Sequence, residues 1–496
     1  MRVSLIYPGW PDHYWPQGAF RSHWVPTGLA HIAYVLKKGG CEVRVLNCEE
    51  HLIKNNYNRA AIDELIKCEL REYKPDLVGL SILTPGMIEA ARIADFVKRI
   101  CGANTVVVAG GPHPTALPER TLREIPELDA VVVGEGELTM LDLIGSGISD
   151  DIPGLVFRRG DELVPTCPRT RQKDLDQLGV PAYHLFDMNF YTQPNRWMIP
   201  WLNLKVTNIR TSRGCVGSCW FCAGPLVSGP GVRCHSIDHV IDQVKHVVKE
   251  FRVEAIHFED DSIGADPNRL VLLCEALRNS GLNKIRWDCC LRVDQASLEL
   301  LNEMKSAGCI MVEYGIETGS ETMLAAIGKK STLDLNRRAV EITRKAGLRI
   351  FTDIMLGLPG ETEKDWDETV SFLRWAKPDI IRAGLLCPLP GTALFNQLPL
   401  DVQDSIRWEG YTYLDTLELG LIMSSLPKEE VRSRYRNLNK YFLGPHVAWG
   451  VLRDSNPTER ELRRALWKKI ISFALRHPIR AARLPNRWGS ERQTGT

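Results

Sequence analysis

No apolar run in this chain approaches the length that spans a bilayer, for which an α-helix needs about 20 consecutive apolar residues. The opening MRVSLIYPGW lacks the basic, apolar and small-residue regions of a secretory signal and moves directly into a strand-like segment. An excess of one charge is also missing: 62 Lys and Arg face 61 Asp and Glu, a net of +1. Nothing in the composition, 44% hydrophobic and 25% charged, points to disorder or a fibrous repeat. A disulfide framework is not expected despite fourteen cysteines. Most are scattered singly in apolar contexts (Cys68, Cys101, Cys274, Cys309), where a thiol serves as a small buried hydrophobe. Disulfides belong to oxidising compartments, so the expected location is the cytoplasm.

At 496 residues the chain exceeds one ordinary core, and two or three domains are expected. Residues 1–145 alternate strands and helices: RVSLIYP, a helical PTGLAHIAYVLKKGG, CEVRVLN, DELIKCELREY, DLVGLSIL, MIEAARIADFVKRIC, TVVVAGG and DAVVVGEGE. That alternation predicts a doubly wound parallel α/β sheet. Ligands of such sheets bind beyond the carboxyl ends of the strands, where Ser81-Ile82-Leu83-Thr84, Gly110-Gly111 and Gly134-Glu135-Gly136-Glu137 fall. Residues 146–200, rich in Arg, Asp and Pro, read as an irregular connector.

Across residues 201–395 the alternation resumes with six strand candidates: LKVTNIRT, EAIHFED, IRWDCCLRV, CIMVEYGIE, RIFTDIMLG and DIIRAGLLC. Six βα units are too few to close an eight-stranded barrel, so an open, partial (β/α)6 barrel is expected. Residues 396–496 read as mainly helical. Strand parity gives the barrel a polar interior. Ile256 and Phe258 share one face of the second strand, and His257 and Glu259 share the other. Glu313 and Glu317 lie together on the fourth strand, and Asp353 takes a similar place on the fifth. A lining of carboxylates, His and Arg suits a polar ligand; simple solvation of a face would have to recur on several strands.

RGCVGSCWFC (213–222) sets three cysteines in a C-x3-C-x2-C pattern directly after the first barrel strand. A metal site, a redox centre and an accident of composition are the starting readings. Chance fits poorly with the Gly-rich spacing at a strand's carboxyl end. Structural zinc would need a fourth ligand such as His235, and zinc motifs usually come as two close pairs. Three thiolates on one short loop can hold three irons of a [4Fe–4S] cluster and leave the fourth open to a ligand.

With Phe221 before its last cysteine, the triplet resembles the signature of the radical S-adenosylmethionine enzymes. FEDDSIGAD (258–266), GIETGSETMLAAIGKKST (315–332), IMLGLPGET (354–362) and PLPGT (388–392) are similar to segments of that superfamily's cobalamin-binding branch. So are Ser81-x-Leu83, VVVAGGPHPT (106–115), DAVVVGEGE (129–137) and DLDQLGVPAYHLF (174–186), which extends the resemblance over about residues 1–395. It implies a cobalamin-binding N-terminal domain and three cofactors: a [4Fe–4S] cluster, S-adenosylmethionine and cobalamin. Cys215, Cys219 and Cys222 are the implied cluster ligands. Phe221, Glu259, Arg292 and Glu317 are implied S-adenosylmethionine contacts, and Ser81, Leu83, Gly110, Gly111, Gly134 and Glu135 are implied to surround cobalamin. A structural ion pair is the plain alternative for each charged member, and turn chemistry is the alternative for any single glycine.

Two stretches depart from the branch's pattern. GWPDHYWPQG (9–18) lacks the D-x-H-x-x-G that supplies a lower His ligand to cobalt, so His13 is read as a loop residue. The usual Arg-x-Arg-Ser stands here as Arg233-Cys234-His235-Ser236. Cys290 on the inward face could donate hydrogen or contact cobalt, but a strand cysteine is more often inert packing, and Cys289-Cys290 is read that way.

By resemblance, the expected enzyme is a C-methyltransferase. A 5′-deoxyadenosyl radical takes hydrogen from an unactivated carbon of a small-molecule, lipid or natural-product substrate, and cobalamin delivers a methyl group. An electron donor such as a flavodoxin or ferredoxin is the implied partner. An oxidative cyclase or ring-rearranging enzyme with the same cofactors is the alternative. A non-catalytic cobalamin or iron–sulfur sensor is the alternative from another class, and the polar barrel interior speaks against it.

Residues 431–496 carry fifteen Lys and Arg against four Asp and Glu. Within them, ELRRALWKKIISFALRH (461–477) sets Leu462, Leu466, Ile470 and Phe473 on one stripe. Such a basic amphipathic helix either lies at an anionic membrane surface or caps the barrel. No nucleic-acid-binding module accompanies it, so no nucleic-acid partner is expected.

Overall fold

The computed structural model describes residues 1–9, 23–195, 204–409, 411–412 and 423–441. Its first sheet comprises β1 (Arg2–Tyr7), β2 (Glu42–Asn47), β3 (Leu77–Ser81), β4 (Val106–Gly110), β5 (Ala130–Val132), β6 (Leu155–Arg159) and β7 (Glu162–Pro165). They lie in the order β2-β1-β3-β4-β5-β6-β7, with the first five parallel. Strands covered on both faces read as continuous apolar runs. Accordingly Leu46, Val78, Leu80 and Val107 pack into one core, and Val3, Leu5, Leu77 and Val108 into another. The strand order reverses between β1 and β3, where a doubly wound sheet opens its ligand crevice.

The expected irregular connector at 146–200 contains regular structure. Strands β6 and β7 form an antiparallel hairpin that continues the sheet beside β5. Only Leu155, Val156 and Phe157 of this hairpin are buried. Its charged turn and exposed second strand therefore carry the composition of a loop.

The second sheet holds β8 (Pro194–Asn195), β9 (Leu204–Ile209), β12 (Ala255–Phe258), β13 (Arg286–Cys290), β14 (Cys309–Glu317), β15 (Arg349–Leu356) and β16 (Ile380–Leu385). The strands β10 (Ser212–Arg213) and β11 (Arg233–Cys234) form a separate antiparallel ribbon. The sheet order is β16-β15-β14-β13-β12-β9-β8, with the six expected barrel strands parallel. Among the described residues its two ends do not pair, so this is an open half-barrel.

The helix Ile237–Phe251 shows how the covering helices form. Ser236 Oγ accepts the His239 N–H at 3.2 Å, and Arg252 ends the helix in the left-handed region. A Ser cap of this kind contributes about 1 kcal/mol. Burial of Val240, Ile241, Val244 and Val247 contributes more, about 1.5–3 kcal/mol for each side chain.

Beyond β16 the chain folds back. Phe395, Trp408 and Tyr411 join a core of the first sheet, and the Arg120 guanidinium donates to the Gln403 and Ile406 carbonyls. Helix Lys428–Tyr441 lays Val431 against Leu356, Ala383 and Leu385 on β15 and β16. His13 and residues 461–477 lie outside the described residues.

Of the scattered cysteines, Cys274 and Cys309 are buried, Cys101 is half-buried and Cys68 is exposed. Cys68 sits off the apolar stripe of its helix, which runs through Ile62, Ile66 and Leu70. Among the described residues no helix is long and apolar enough to cross a membrane.

Candidate active site

Cys215, Cys219 and Cys222 sit on the loop that joins β10 to β11. Gly214 opens this loop with φ +101°, and a Cβ there would stand 2.1 Å from the Gly231 carbonyl oxygen. Only glycine passes both constraints. Buried Asp260 accepts the Thr211 N–H at 3.1 Å and the Thr211 and Ser212 hydroxyls, and Asp261 accepts the Gly214 N–H at 3.2 Å. Burial pushes the Asp260 carboxyl above its ordinary range, against the pull of these hydrogen bonds.

Two thiols and a cation converge around Gly217. A Cβ there would lie 3.4 Å from Cys215 Sγ, 3.9 Å from Cys219 Sγ and 2.9 Å from Arg292 Nη1. The Gly217 and Gly224 N–H groups donate to the sulfurs of Cys215 and Cys222 at 3.2 and 3.3 Å. Burial pushes the Cys219 and Cys222 thiols up, while Lys329 and Arg292 pull Cys219 back down. Arg292 is oriented by Asp294 at 3.0 and 2.9 Å.

Glu317 pairs with Lys329 Nζ at 2.6 Å, and Lys329 also donates to the Gly315 carbonyl. With φ +67°, Glu317 occupies a region that costs a non-glycine residue about 1–3 kcal/mol. This strained residue ends β14 beside the cysteines. Phe221 packs with Trp220 against Met323, Ile327, Leu358 and Leu394, forming an apolar shelf next to the thiols.

The structure thus groups Cys215, Cys219, Arg292 and Glu317. Glu259 has other partners: its carboxylate accepts from Asn208 Nδ2 at 2.9 Å and faces Arg210 at 3.6 Å. β12 ends at Phe258, so strand parity no longer orients residues 259–261, and Asp260 and Asp261 support the cysteine loop instead. His235 does not complete a zinc set with the cysteines, because its Nδ1 bonds Asp176 Oδ1 at 3.0 Å.

At the carboxyl ends of β3, β4 and β5, Ser81, Leu83, Gly110, Gly111 and Gly134 are half-buried. At Gly111 the φ is +102°, and a Cβ would press on the Ile82 backbone at 3.0 Å. Gly134 has φ +82° with open space beside it, and its N–H donates to Thr115 Oγ1 at 3.0 Å. A cavity of about 350 Å³ adjoins it, lined by Thr115, Gly134, Arg169, Gln172 and Leu226 among others.

Glu135 lines the same cavity, and its carboxylate is held by arginines of the cysteine-bearing ribbon. It accepts from Arg233 at 2.6 and 2.9 Å and from Arg213 at 3.2 Å, while Glu137 accepts from Arg213 at 2.6 Å. These four charges clamp the first sheet to the ribbon that carries the cysteines. Sequence reasoning missed the clamp, because its partners lie far apart along the chain and carry no local signal.

The barrel interior is polar, as parity predicted. His257 Nδ1 lies 3.2 Å from fully buried Asp288, whose charge and hydrogen bond outweigh burial and hold the imidazole above its ordinary range. Arg382 bridges Glu313 at 2.5 Å and Asp353 at 2.6 Å. Burial pushes Glu313 up to about 8 despite the charge of Arg382, with Asp353 adding to the rise. Cys290 lies near Glu313, Arg382, Asp353 and Asp288, whereas Cys289 is fully buried and bonds Cys309.

Comparison with known proteins adds independent findings. Residues 209–373 match the model of the radical SAM superfamily, and residues 18–144 match that of the B12 binding domain. An uncharacterized methyltransferase of Pyrococcus horikoshii is 30% identical over 434 residues, covering 85% of this chain and 88% of that protein. The anaerobic magnesium-protoporphyrin IX monomethyl ester cyclase of Rubrivivax gelatinosus is 27% identical, covering 89% of this chain and 78% of that protein. Among solved structures, the radical S-adenosylmethionine methyltransferase TsrM from Kitasatospora setae, with cobalamin and a [4Fe–4S] cluster bound, aligns with a TM-score of 0.63. The alignment covers 79% of this chain and 76% of TsrM at 20% identity, a likeness of fold.

Proposed function

The chain belongs to the cobalamin-binding radical S-adenosylmethionine enzymes, and we propose that it methylates an unactivated carbon of a small-molecule, lipid or natural-product substrate. One observation carries the reading: the cysteine loop, with Arg292, Glu317 and Lys329 beside it, is clamped through Arg213 to the glycine-rich strand ends of the first sheet.

The donors fit the cofactors of this family. The three cysteines are free thiols on one loop, and the bare backbone at Gly217 leaves room for the Arg292 guanidinium, which a Cβ there would approach to 2.9 Å. When bound, the cluster and S-adenosylmethionine supply a carbon-centred radical and cobalamin supplies the methyl group. The residues contribute position and charge. Cys215, Cys219 and Cys222 are the residues that would hold the cluster. Arg292 and Glu317 would offer opposite charges to the carboxylate and amino groups of S-adenosylmethionine, and the Phe221 shelf would take its adenine. Open backbone at Gly134 admits the tail of cobalamin.

Inside the barrel, Glu313 Oε2 is buried without a partner among the described residues. In its acid form it donates a hydrogen bond to a polar atom of the substrate. A flavodoxin or ferredoxin supplies the electron.

A second reading follows from the magnesium-protoporphyrin cyclase, whose match covers 89% of this chain: ring closure with the same cofactors and no methyl transfer. Anaerobic turnover separates the two. Reconstituted enzyme with reductant, cobalamin, S-adenosylmethionine and cell extract is expected to yield both 5′-deoxyadenosine and S-adenosylhomocysteine, and Cys222→Ala to yield no deoxyadenosine. Deoxyadenosine alone would favour the cyclase.

A further inference from the structure

We propose that Asp176, His235 and His239 bind a zinc-class divalent cation where the connector meets the cysteine-bearing ribbon. Each residue offers one donor atom, and the three atoms lie within 4.8 Å of one another. His235 Nδ1 and His239 Nδ1 stand 3.0 and 3.8 Å from Asp176 Oδ1. Donors around an ion with bonds of about 2 Å are spaced in this way.

Neighbouring groups hold the donors in place, as the outer partners of metal ligands do. The Ser236 N–H donates to both Asp176 oxygens, at 3.1 and 3.3 Å, and Arg269 donates to the His235 carbonyl at 3.0 Å. A third imidazole points to a ligand independently. His31, on helix Thr27–Lys38 of the N-terminal domain, has its ring centroid 6.2 Å from that of His235. It is 5% exposed, and its Nδ1 is buried with no partner among the described residues. The ring also bonds the backbone at Leu178, the kind of contact that fixes the tautomer of a ligating imidazole. His239 Nε2 likewise has no partner among the described residues.

Two imidazoles and one carboxylate, with the His31 imidazole beside them, suit zinc, whereas magnesium and calcium take oxygen sets. The His31 and His235 imidazoles are neutral, and uptake of the ion moves the proton that His235 Nδ1 shares with Asp176 to the other ring nitrogen. Burial holds His31 well below the ordinary imidazole range and His235 at about 4. Hydrogen bonds from Ser236 and His235 outweigh burial and keep the Asp176 carboxyl low. The Arg213 cation also faces His31 and His235, and Glu135 and Glu137 balance it.

The His235 and His239 rings are nearly parallel, 9° apart with centroids at 4.4 Å. Uptake of the ion turns one of them about χ2, and His239 is the less enclosed. An ion here staples the connector to the ribbon.

Elemental analysis of the full-length protein tests it. After anaerobic purification from zinc-supplemented cells and reconstitution, about one zinc per chain is expected beside the iron. His239→Ala and Asp176→Asn should each lower zinc at least about tenfold and leave iron unchanged. His239→Gln, which keeps a helix-compatible side chain, stands in if the alanine variant does not fold. Cobalt(II) added to a cobalamin-free Cys215→Ala, Cys219→Ala, Cys222→Ala variant should give tetrahedral d–d bands that His239→Ala removes. Background zinc in the wild type, or zinc that survives both His239→Ala and Asp176→Asn, would overturn the site. So would the absence of d–d bands.

Discussion

Glu313 sets the charge of the barrel interior. Burial raises its carboxyl from 4.5 to about 8, even with Arg382 at 2.5 Å. The folded state therefore holds a proton that the unfolded chain releases at lower pH. The resulting stabilisation is complete below about pH 4.5 and is lost as pH rises through about 8. Glu313→Gln copies the neutral carboxyl and cannot ionise. Denaturant unfolding should show the wild type losing stability relative to this variant between about pH 5 and pH 8.5, by an amount on the order of a few kcal/mol. Parallel pH profiles would mean that the carboxyl is ionised throughout.

At the scale of elements, the clamp between the first sheet and the β10–β11 ribbon matters most. Arg213 is 9% exposed and depends on Glu135 and Glu137. Removing one partner of a buried ion pair costs about 3–5 kcal/mol when the remaining charge is left alone. Glu137→Gln leaves Glu135 in place, so a loss of roughly 1–3 kcal/mol is expected. Cys215 lies two residues beyond Arg213, so iron retention should weaken as well. Thermal melting and iron content check both effects, and a variant that matches the wild type in each would remove the clamp from the account.

These elements also show where sequence stops being informative. The βα alternation, the six barrel strands and the cysteine triplet follow from local period and spacing, and all three could be read directly. Asp260, Asp261 and Lys329 stood inside noticed motifs, yet their roles depend on partners brought by other segments. Parity failed at Glu259 because its strand had already ended. For Glu135 the strand-end position is legible, but its partners are not, since the two arginines that hold its carboxylate come from the ribbon.

Over the whole molecule, the two sheets meet at the cysteine-bearing ribbon. The first sheet presents its glycine-rich strand ends, the ribbon carries the cysteine loop, and the chain beyond β16 packs on both sheets through Trp408 and Val431. Such fixed placement suits a radical reaction, because a group that abstracts hydrogen must meet its substrate in a fixed pose. The most direct test of this account follows the methyl group itself. Anaerobic turnover with cell extract and S-adenosylmethionine trideuterated at the methyl carbon should give a new compound bearing the intact trideuteromethyl group, together with 5′-deoxyadenosine and S-adenosylhomocysteine. Deoxyadenosine with no labelled compound, or the same labelled compound from Cys222→Ala, would contradict it.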